Sequence, residues 1–166
     1  FINMIIDADA HVEESAAMFD RIDKQFRPRR PLPVRLDQDS VYGKYNAVWL
    51  IDGDAYPKLF GKRGTIFRTP TLMEAASMKR ESIGAQELTD VASRIKDMDK
   101  VKIDLQVIFP SLFLTTTTED LQLEAALLRA YNDFLGDCAA ASKGRIRFAA
   151  LVPIRDVAAS IKEINR

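Results

Sequence analysis

The chain is short of the residues from which several kinds of site are made. Of 166 residues, one is cysteine and one is histidine. A single thiol cannot form an internal disulfide, which excludes a stapled secreted scaffold and points to a reducing, cytoplasmic setting. A single imidazole excludes a multi-histidine metal site or a histidine-pair mechanism drawn from this chain alone. Such chemistry needs Asp, Glu or another polypeptide segment. An excess of charge is missing as well, with 24 Lys plus Arg against 24 Asp plus Glu. That balance removes the electrostatic footprint of nucleic-acid or anionic-membrane binding. No run approaches the ~18 apolar residues needed to cross a bilayer, and no basic stretch followed by an apolar one marks a secretory signal. What the chain does have is 47% hydrophobic and 29% charged residues, a composition that folds rather than stays disordered. Its length alone suits one domain.

Met4 to Val12 read MIIDADAHV, an alternation that predicts a strand. Ile6, Ala8, Ala10 and Val12 would share one face, and Ile5, Asp7, Asp9 and His11 the other. Two carboxylates and the lone imidazole on one face are unusual for a plain core strand. A short helical stretch is expected near Glu14 to Phe26. The following FRPRRPLPVRL is broken by Pro28, Pro31 and Pro33, and its Arg27, Arg29, Arg30 and Arg35 read as a solvated, proline-stiffened arm. NAVWLI, Asp52-Gly53 and DAYPKLF then form a hairpin signal, because a type I′ turn needs positive φ at both central residues. Pro57 confines its second arm to an edge. Residues 61–88 are poorly periodic apart from a helical piece around Leu72 to Met78, as in a binding loop, lid or interface arm.

Regular order resumes with a helix capped at Thr89 and carrying Val91, Ile95 and Met98. An apolar strand follows from Leu105 to Phe109, closed by Pro110. Thr115 to Thr118, Glu119 and Asp120 supply capping groups for a long helix with Leu127, Tyr131, Phe134, Leu135 and Cys138 on its core stripe and Gly144 at its end. Arg147 to Val152 reads as another strand, stopped by Pro153, and Asp156 caps a last helix with Val157, Ile161 and Ile164. Helices alternating with fully apolar strands mean an α/β fold with a covered parallel sheet. Ligands in such folds bind at the C-terminal strand ends, where Asp9 and His11 lie on the first strand.

Asp9 and His11, two apart on a strand, stand ~6.6 Å from each other along the backbone and point the same way. A carboxylate oxygen and an imidazole nitrogen could then meet on one divalent cation at ~2.0 to 2.2 Å. The same spacing also suits a His and an Asp bonded to each other or to loop backbone. Mixed nitrogen and oxygen donors suit Zn²⁺ first, with Mn²⁺ or Fe²⁺ as alternatives.

IIDADAHVEES, VWLIDGDAYPKL, RIKDMDKVKIDLQVIFPS and RAYNDFLGDCAAASKGRIRFAALVPIRD, in that order, resemble the amidohydrolase-related family, also called amidohydrolase family 2. The landmarks are the D-x-H of the first strand, Met98 to Asp104, Val107 to Pro110, Tyr131 to Leu135 and Ala150 to Pro153. The resemblance implies a (β/α)8 TIM barrel of which this chain is the N-terminal part, residues 1–166, with 27–88 as a hairpin and loop insertion after the first strand. It implies Asp9 and His11 as metal ligands, the remaining ligands and the general base coming from later strands that are not in this chain. Relatives commonly have Gly where Lys102 stands, so the turn there is expected to close differently. The implied activity is metal-dependent hydrolysis of an amide, ester or lactone of a small molecule. Relatives that are non-oxidative decarboxylases of aromatic or unsaturated carboxylic acids give a second reading, and a non-catalytic α/β binding module gives a third. Glu13 and Glu14 are candidates for substrate-facing or ligand-supporting groups, though each is more ordinarily a solvated carboxylate. Asp7 is expected to face inward and either orient His11 or bond to backbone. Asn132 and Asp133 suit packing and capping, Cys138 the core, and Trp49 and Tyr56 a subunit contact or a substrate mouth, the contact being favoured and a homo-oligomer possible through it.

Overall fold

The computed structural model describes residues 4–35, 47–56 and 82–166. The helical piece expected at Leu72 to Met78 and the role expected of Pro57 lie outside these residues. The central sheet is parallel and three-stranded, in the order β1 (Ile6–Val12), β5 (Leu105–Pro110), β6 (Ile146–Phe148). A second, antiparallel sheet runs β2 (Leu32–Arg35), β3 (Ala47–Ile51), β4 (Asp54–Tyr56). The helices are α1 (Ala16–Phe19), α2 (Ile83–Gln86), α3 (Val91–Lys100), α4 (Leu121–Ala141) and α5 (Val157–Ile164). Two 3-10 turns, Lys24–Arg29 and Leu112–Leu114, complete the elements. From α3 onward the alternation of helix and strand expected from the sequence is present, with β6 shorter than the run Arg147 to Val152 suggested.

Each later helix starts where a carboxylate satisfies its first amides. Asp90 caps α3 by accepting from Ser93 N–H, which moves the cap one residue on from Thr89. Asp120 accepts from Gln122 and Leu123 on α4, and Asp156 from Ala159 on α5. An N-cap side chain meets donors that no intrahelical carbonyl can reach. The end of α3 is closed by Lys102 in the left-handed region, φ 60°. Ile103 N–H donates to Met98 C=O and Lys102 N–H to Asp99 C=O. This is the closing pattern a glycine usually serves, so the turn keeps its geometry and lysine bears the left-handed strain of about 1–2 kcal/mol.

The core lies between one face of the parallel sheet and the helices. Ala10, Val12 and Ile108 meet Met18 and Phe19 of α1 and the α4 stripe Leu127, Tyr131, Phe134, Leu135 and Cys138, all buried. Cys138 is a core residue as expected, its thiol touching Leu88 C=O at 3.4 Å and pushed up to about 11 by burial. The hairpin also joins this core. Asp52 (φ 51°) and Gly53 (φ 89°) make the positive-φ turn the sequence signalled. Trp49 is 3% exposed and meets Phe19 edge-on, with centroids 5.0 Å apart, and Tyr56 is buried too. The expected subunit contact or substrate mouth at these two residues is therefore corrected: both rings are core. β2, within the stretch expected to be an irregular arm, is an edge strand, where Pro33 removes no ladder bond that matters. The helical stretch expected over residues 14–26 is divided into the single turn of α1 and the 3-10 segment.

The opposite face of the parallel sheet is open. Ile6 is exposed and Leu105, Val107 and Phe109 are half-covered. Ile154, Val157, Ile161 and Ile164 form an exposed apolar stripe along and just before α5. No helix among the described residues is long and apolar enough to cross a membrane.

Candidate metal centre at the end of the first strand

A bulge decides which side chains β1 presents. Ile6 and Asp7 pair with Leu105 and Gln106, but Ala10, His11 and Val12 pair with Ile108, Phe109 and Pro110, so β1 carries one residue more than β5 between the two registers. An extra residue reverses the alternation beyond it. Asp7 thus falls on the side of Ala10 and Val12, the helix-packed face, and not with His11. This corrects the expectation that Asp7 faces inward below the imidazole. Its carboxylate accepts from Gln106 Nε2 at 2.9 Å and from Asp9 N–H at 3.2 Å. Gln106 Oε1 in turn accepts from Arg94 Nε at 2.8 Å, and Arg94 donates to the backbone carbonyls of His11 (3.2 Å) and Ala85 (3.4 Å). This buried polar chain runs under the bulge and holds the strand end from behind.

Asp9, within the bulge, and His11, just beyond it, do bring their side chains together. Asp9 Oδ1 lies 3.7 Å from His11 Nε2, with the carboxylate almost wholly exposed and the imidazole 39% exposed. His11 Nδ1 is 2.9 Å from Pro110 C=O. A carbonyl can only accept, so Nδ1 carries a proton, and in the singly protonated ring Nε2 is left as the acceptor nitrogen on the side of Asp9. At 3.7 Å the two atoms are close enough to share a proton, a water molecule or a divalent cation. Two ligands each ~2.0 to 2.2 Å from one ion would be separated by about this distance at tetrahedral or wider angles. The donors thus fit part of a metal shell, and the backbone contact at Nδ1 is the orienting bond that metal-binding histidines use. Among the described residues no group of three or more His, Cys, Asp or Glu gathers around a common point, so these two side chains are a partial set.

Glu14, expected as a solvated or site-facing carboxylate, is neither. It is 2% exposed, with Oε1 accepting from Ser111 N–H at 3.0 Å and Oε2 from Leu112 N–H at 2.8 Å. Burial pushes its carboxyl up to about 7, outweighing the opposing pull of the backbone amides, with Glu13 adding to the rise. Glu13 is half-buried, and its own N–H donates to Gln86 C=O at 3.1 Å. The buried Tyr131 hydroxyl has no hydrogen-bond partner among the described residues, and burial together with the field of Glu14 raises it well above the ordinary phenol range. Nothing in the sequence marks Glu14 as different from Glu13 except its place two residues past the strand, because its partners lie 97 and 98 residues away.

The remaining candidates are structural. Asn132 grips Leu151 by both backbone groups, donating to C=O and accepting from N–H at 2.8 Å each, and also donates to Glu163. Asp133 accepts from Arg166. A cleft of about 240 Å³ opens beside the segments that follow β5 and β6, between Phe113, Thr115 to Thr117, Leu127 and Ile154. Its acidic group, Glu124, is paired with Arg155 at 3.2 Å.

No protein-family model matches the sequence, and no curated protein matches it. Among solved structures, the chain is similar to an amidohydrolase from Mycobacterium avium subsp. paratuberculosis K-10, with a TM-score of 0.65 at 20% identity over 99% of this chain. The likeness covers 46% of that amidohydrolase, so this chain spans about half of its length. At that identity the likeness is one of architecture: the parallel α/β arrangement that carries Asp9 and His11 at a strand end is an amidohydrolase-like fold.

Proposed function

We propose that the chain is the N-terminal part of a metal-dependent hydrolase of amidohydrolase family 2, acting on an amide, ester or lactone of a small molecule. The observation that carries this reading is His11, which has Nδ1 tied to Pro110 C=O and Nε2 turned toward Asp9 Oδ1 3.7 Å away, at the C-terminal end of β1. Asp9 and His11 would be two of the ligands of a divalent cation, zinc first, with the other ligands and the general base supplied from outside the described residues. Bound there, the cation would lower the pKa of a water molecule and polarise the scissile carbonyl. The chain's own contribution is geometric and electrostatic. Pro110 fixes the tautomer that leaves Nε2 free, and Asp9 adds the negative charge that a dication needs.

The test is a Zn²⁺ titration of the full chain followed by calorimetry and by the NMR signals of His11, which is the chain's single histidine. Weak but measurable binding in the parent chain, as befits a partial ligand set, with zinc-dependent shifts of the His11 ring signals that are weakened at least about tenfold in Asp9→Asn and lost in His11→Ala, is the expected outcome. Equal binding by all three chains, or none by the parent, would sink the reading. Where the further ligands and the general base are also present, a panel of amides, esters, lactones and aromatic carboxylates separates hydrolysis from decarboxylation. Carbon dioxide release without hydrolysis would replace the first reaction by the second.

A further inference from the structure

The carboxylate of Glu14 and the imidazole of His11 hold the same peptide group from opposite sides. The Pro110–Ser111 peptide presents its C=O to His11 Nδ1 at 2.9 Å and its N–H to Glu14 Oε1 at 3.0 Å. A trans peptide is planar, with C=O and N–H pointing in opposite directions. Whatever fixes one end therefore fixes the other. Leu112 N–H, at 2.8 Å from Glu14 Oε2, adds a second grip on the next peptide and removes the freedom to rotate about the first. The carboxylate is 2% exposed, so water does not compete for these bonds. A charge accepting from an amide N–H also polarises the C=O on its far side, since hydrogen bonds in series strengthen one another at low dielectric.

We propose that Glu14 is a positioning residue for His11, acting through the Pro110–Ser111 peptide to hold the imidazole as the Nδ1–H tautomer with Nε2 free. The consequence for metal affinity rests on the metal-site reading given above, whereas the consequence for the tautomer does not. In metal-binding histidines the orienting carboxylate ordinarily touches the ring directly. Here a backbone peptide stands between them, and the carboxylate is supplied by the same chain segment as the imidazole, three residues on. Asp7, the other nearby carboxylate on β1, is on the opposite face and bonded to Gln106, so it is unavailable for the task.

The experiment reads the tautomer directly. The full chain, labelled with ¹⁵N-histidine, gives one imidazole in long-range ¹H–¹⁵N spectra, recorded without metal at pH 8.5, where an imidazole is ordinarily neutral. The parent chain should show the Nδ1–H form as the dominant species. Glu14→Gln, which keeps one acceptor oxygen, and Glu14→Asp, which withdraws the carboxylate by one methylene, should both raise the Nε2–H form to a comparable or larger share. Zn²⁺ affinity should fall by about 10- to 100-fold in the same variants. A dominant Nε2–H form in the parent overturns the proposal. So does an unchanged Nδ1–H form in folded variants, whatever their metal affinity. A tautomer that follows Glu14 in a chain that binds no zinc supports the positioning role and removes the metal reading instead. Should both variants lose their fold by amide dispersion and circular dichroism, the parent spectrum decides.

Discussion

Two carboxylate ties hold distant parts of the chain together, and they are built on opposite principles. At the strand end, Glu14 joins β1 to the segment after β5 through two backbone amides, out of reach of water. At the hairpin, Arg29 donates to Asp52 and Asp120 at 2.6 Å each, and Thr118 donates to Asp52 at 2.6 Å, joining the β3–β4 turn to the cap of α4. The side chains of this second tie are half open to solvent. The sequence reading of Arg29 as part of a solvated arm holds for its exposure and misses its partners. Burial raises the Glu14 carboxyl, whereas the hydrogen bonds from Thr118 and Arg29 lower Asp52, and that from Arg29 lowers Asp120. One tie draws its strength from the exclusion of water and the other from charge in water.

Removing each tie in turn gives the largest contrast. Glu14→Ala leaves two buried amide donors without partners, and each such loss destabilises by about 1 to 3 kcal/mol. A fall of about 3 kcal/mol in unfolding free energy is expected by urea denaturation at pH 6. Arg29→Ala breaks two exposed ion pairs and should shift the midpoint very little, because side-chain ordering and solvent screening absorb most of the Coulombic gain. Equal losses in the two variants would erase the distinction between the ties.

The pH dependence is the next test, and the two signs are opposite. The Glu14 carboxyl rises from its ordinary 4.5 to about 7 in the fold, so between those values the native state binds more protons than the unfolded one. Its contribution is fully present below about pH 4.5 and is lost as pH rises through about 7, a change of about 3 kcal/mol. Asp52 and Asp120 are lowered from 3.8. Their contribution is present above that value and lost as pH falls through their folded values. Stability should therefore decline from pH 4.5 to 7 in the parent chain and flatten in Glu14→Gln. Arg29→Ala should leave that slope unchanged. Tyr131 and Glu13 are the titratable groups that bear on Glu14, and neither is altered in these variants.

How far each tie was legible in the sequence follows from the range over which its parts interact. The Asp52-Gly53 turn was readable because positive φ at two adjacent positions is a local demand. The α4 stripe was readable because periodicity is local too, and so was the pairing of Asp9 with His11 across one pleat. The face of Asp7 is not legible in the sequence because the bulge is a property of β1 against β5 and leaves no mark in IIDADAHV. Trp49 reads as a contact surface in the sequence because a hairpin does not disclose what covers it, and its cover, Phe19, lies 30 positions earlier. The role of Glu14 is hidden for the same reason: the amides that make it structural belong to another strand's exit. An amidohydrolase-like fold was legible as an ordered run of short landmarks, each weak by itself.

Salt gives the smallest effect and the finest separation. In 1 M NaCl the screening length is about 3 Å, close to the 2.6 Å contacts of Arg29 with Asp52 and Asp120. Ions reach these groups because the side chains are exposed, so the small difference between Arg29→Ala and the parent should vanish there. Glu14 makes its bonds where no ion enters, and the larger difference in Glu14→Ala should persist undiminished. Amide exchange at the hairpin registers the same distinction locally. Added salt should speed exchange at the β3–β4 amides next to Asp52 in the parent chain and leave the Ser111 and Leu112 amides as slow as before. If both sets of amides respond alike, then water and ions reach Glu14 after all, and burial does not raise its carboxyl.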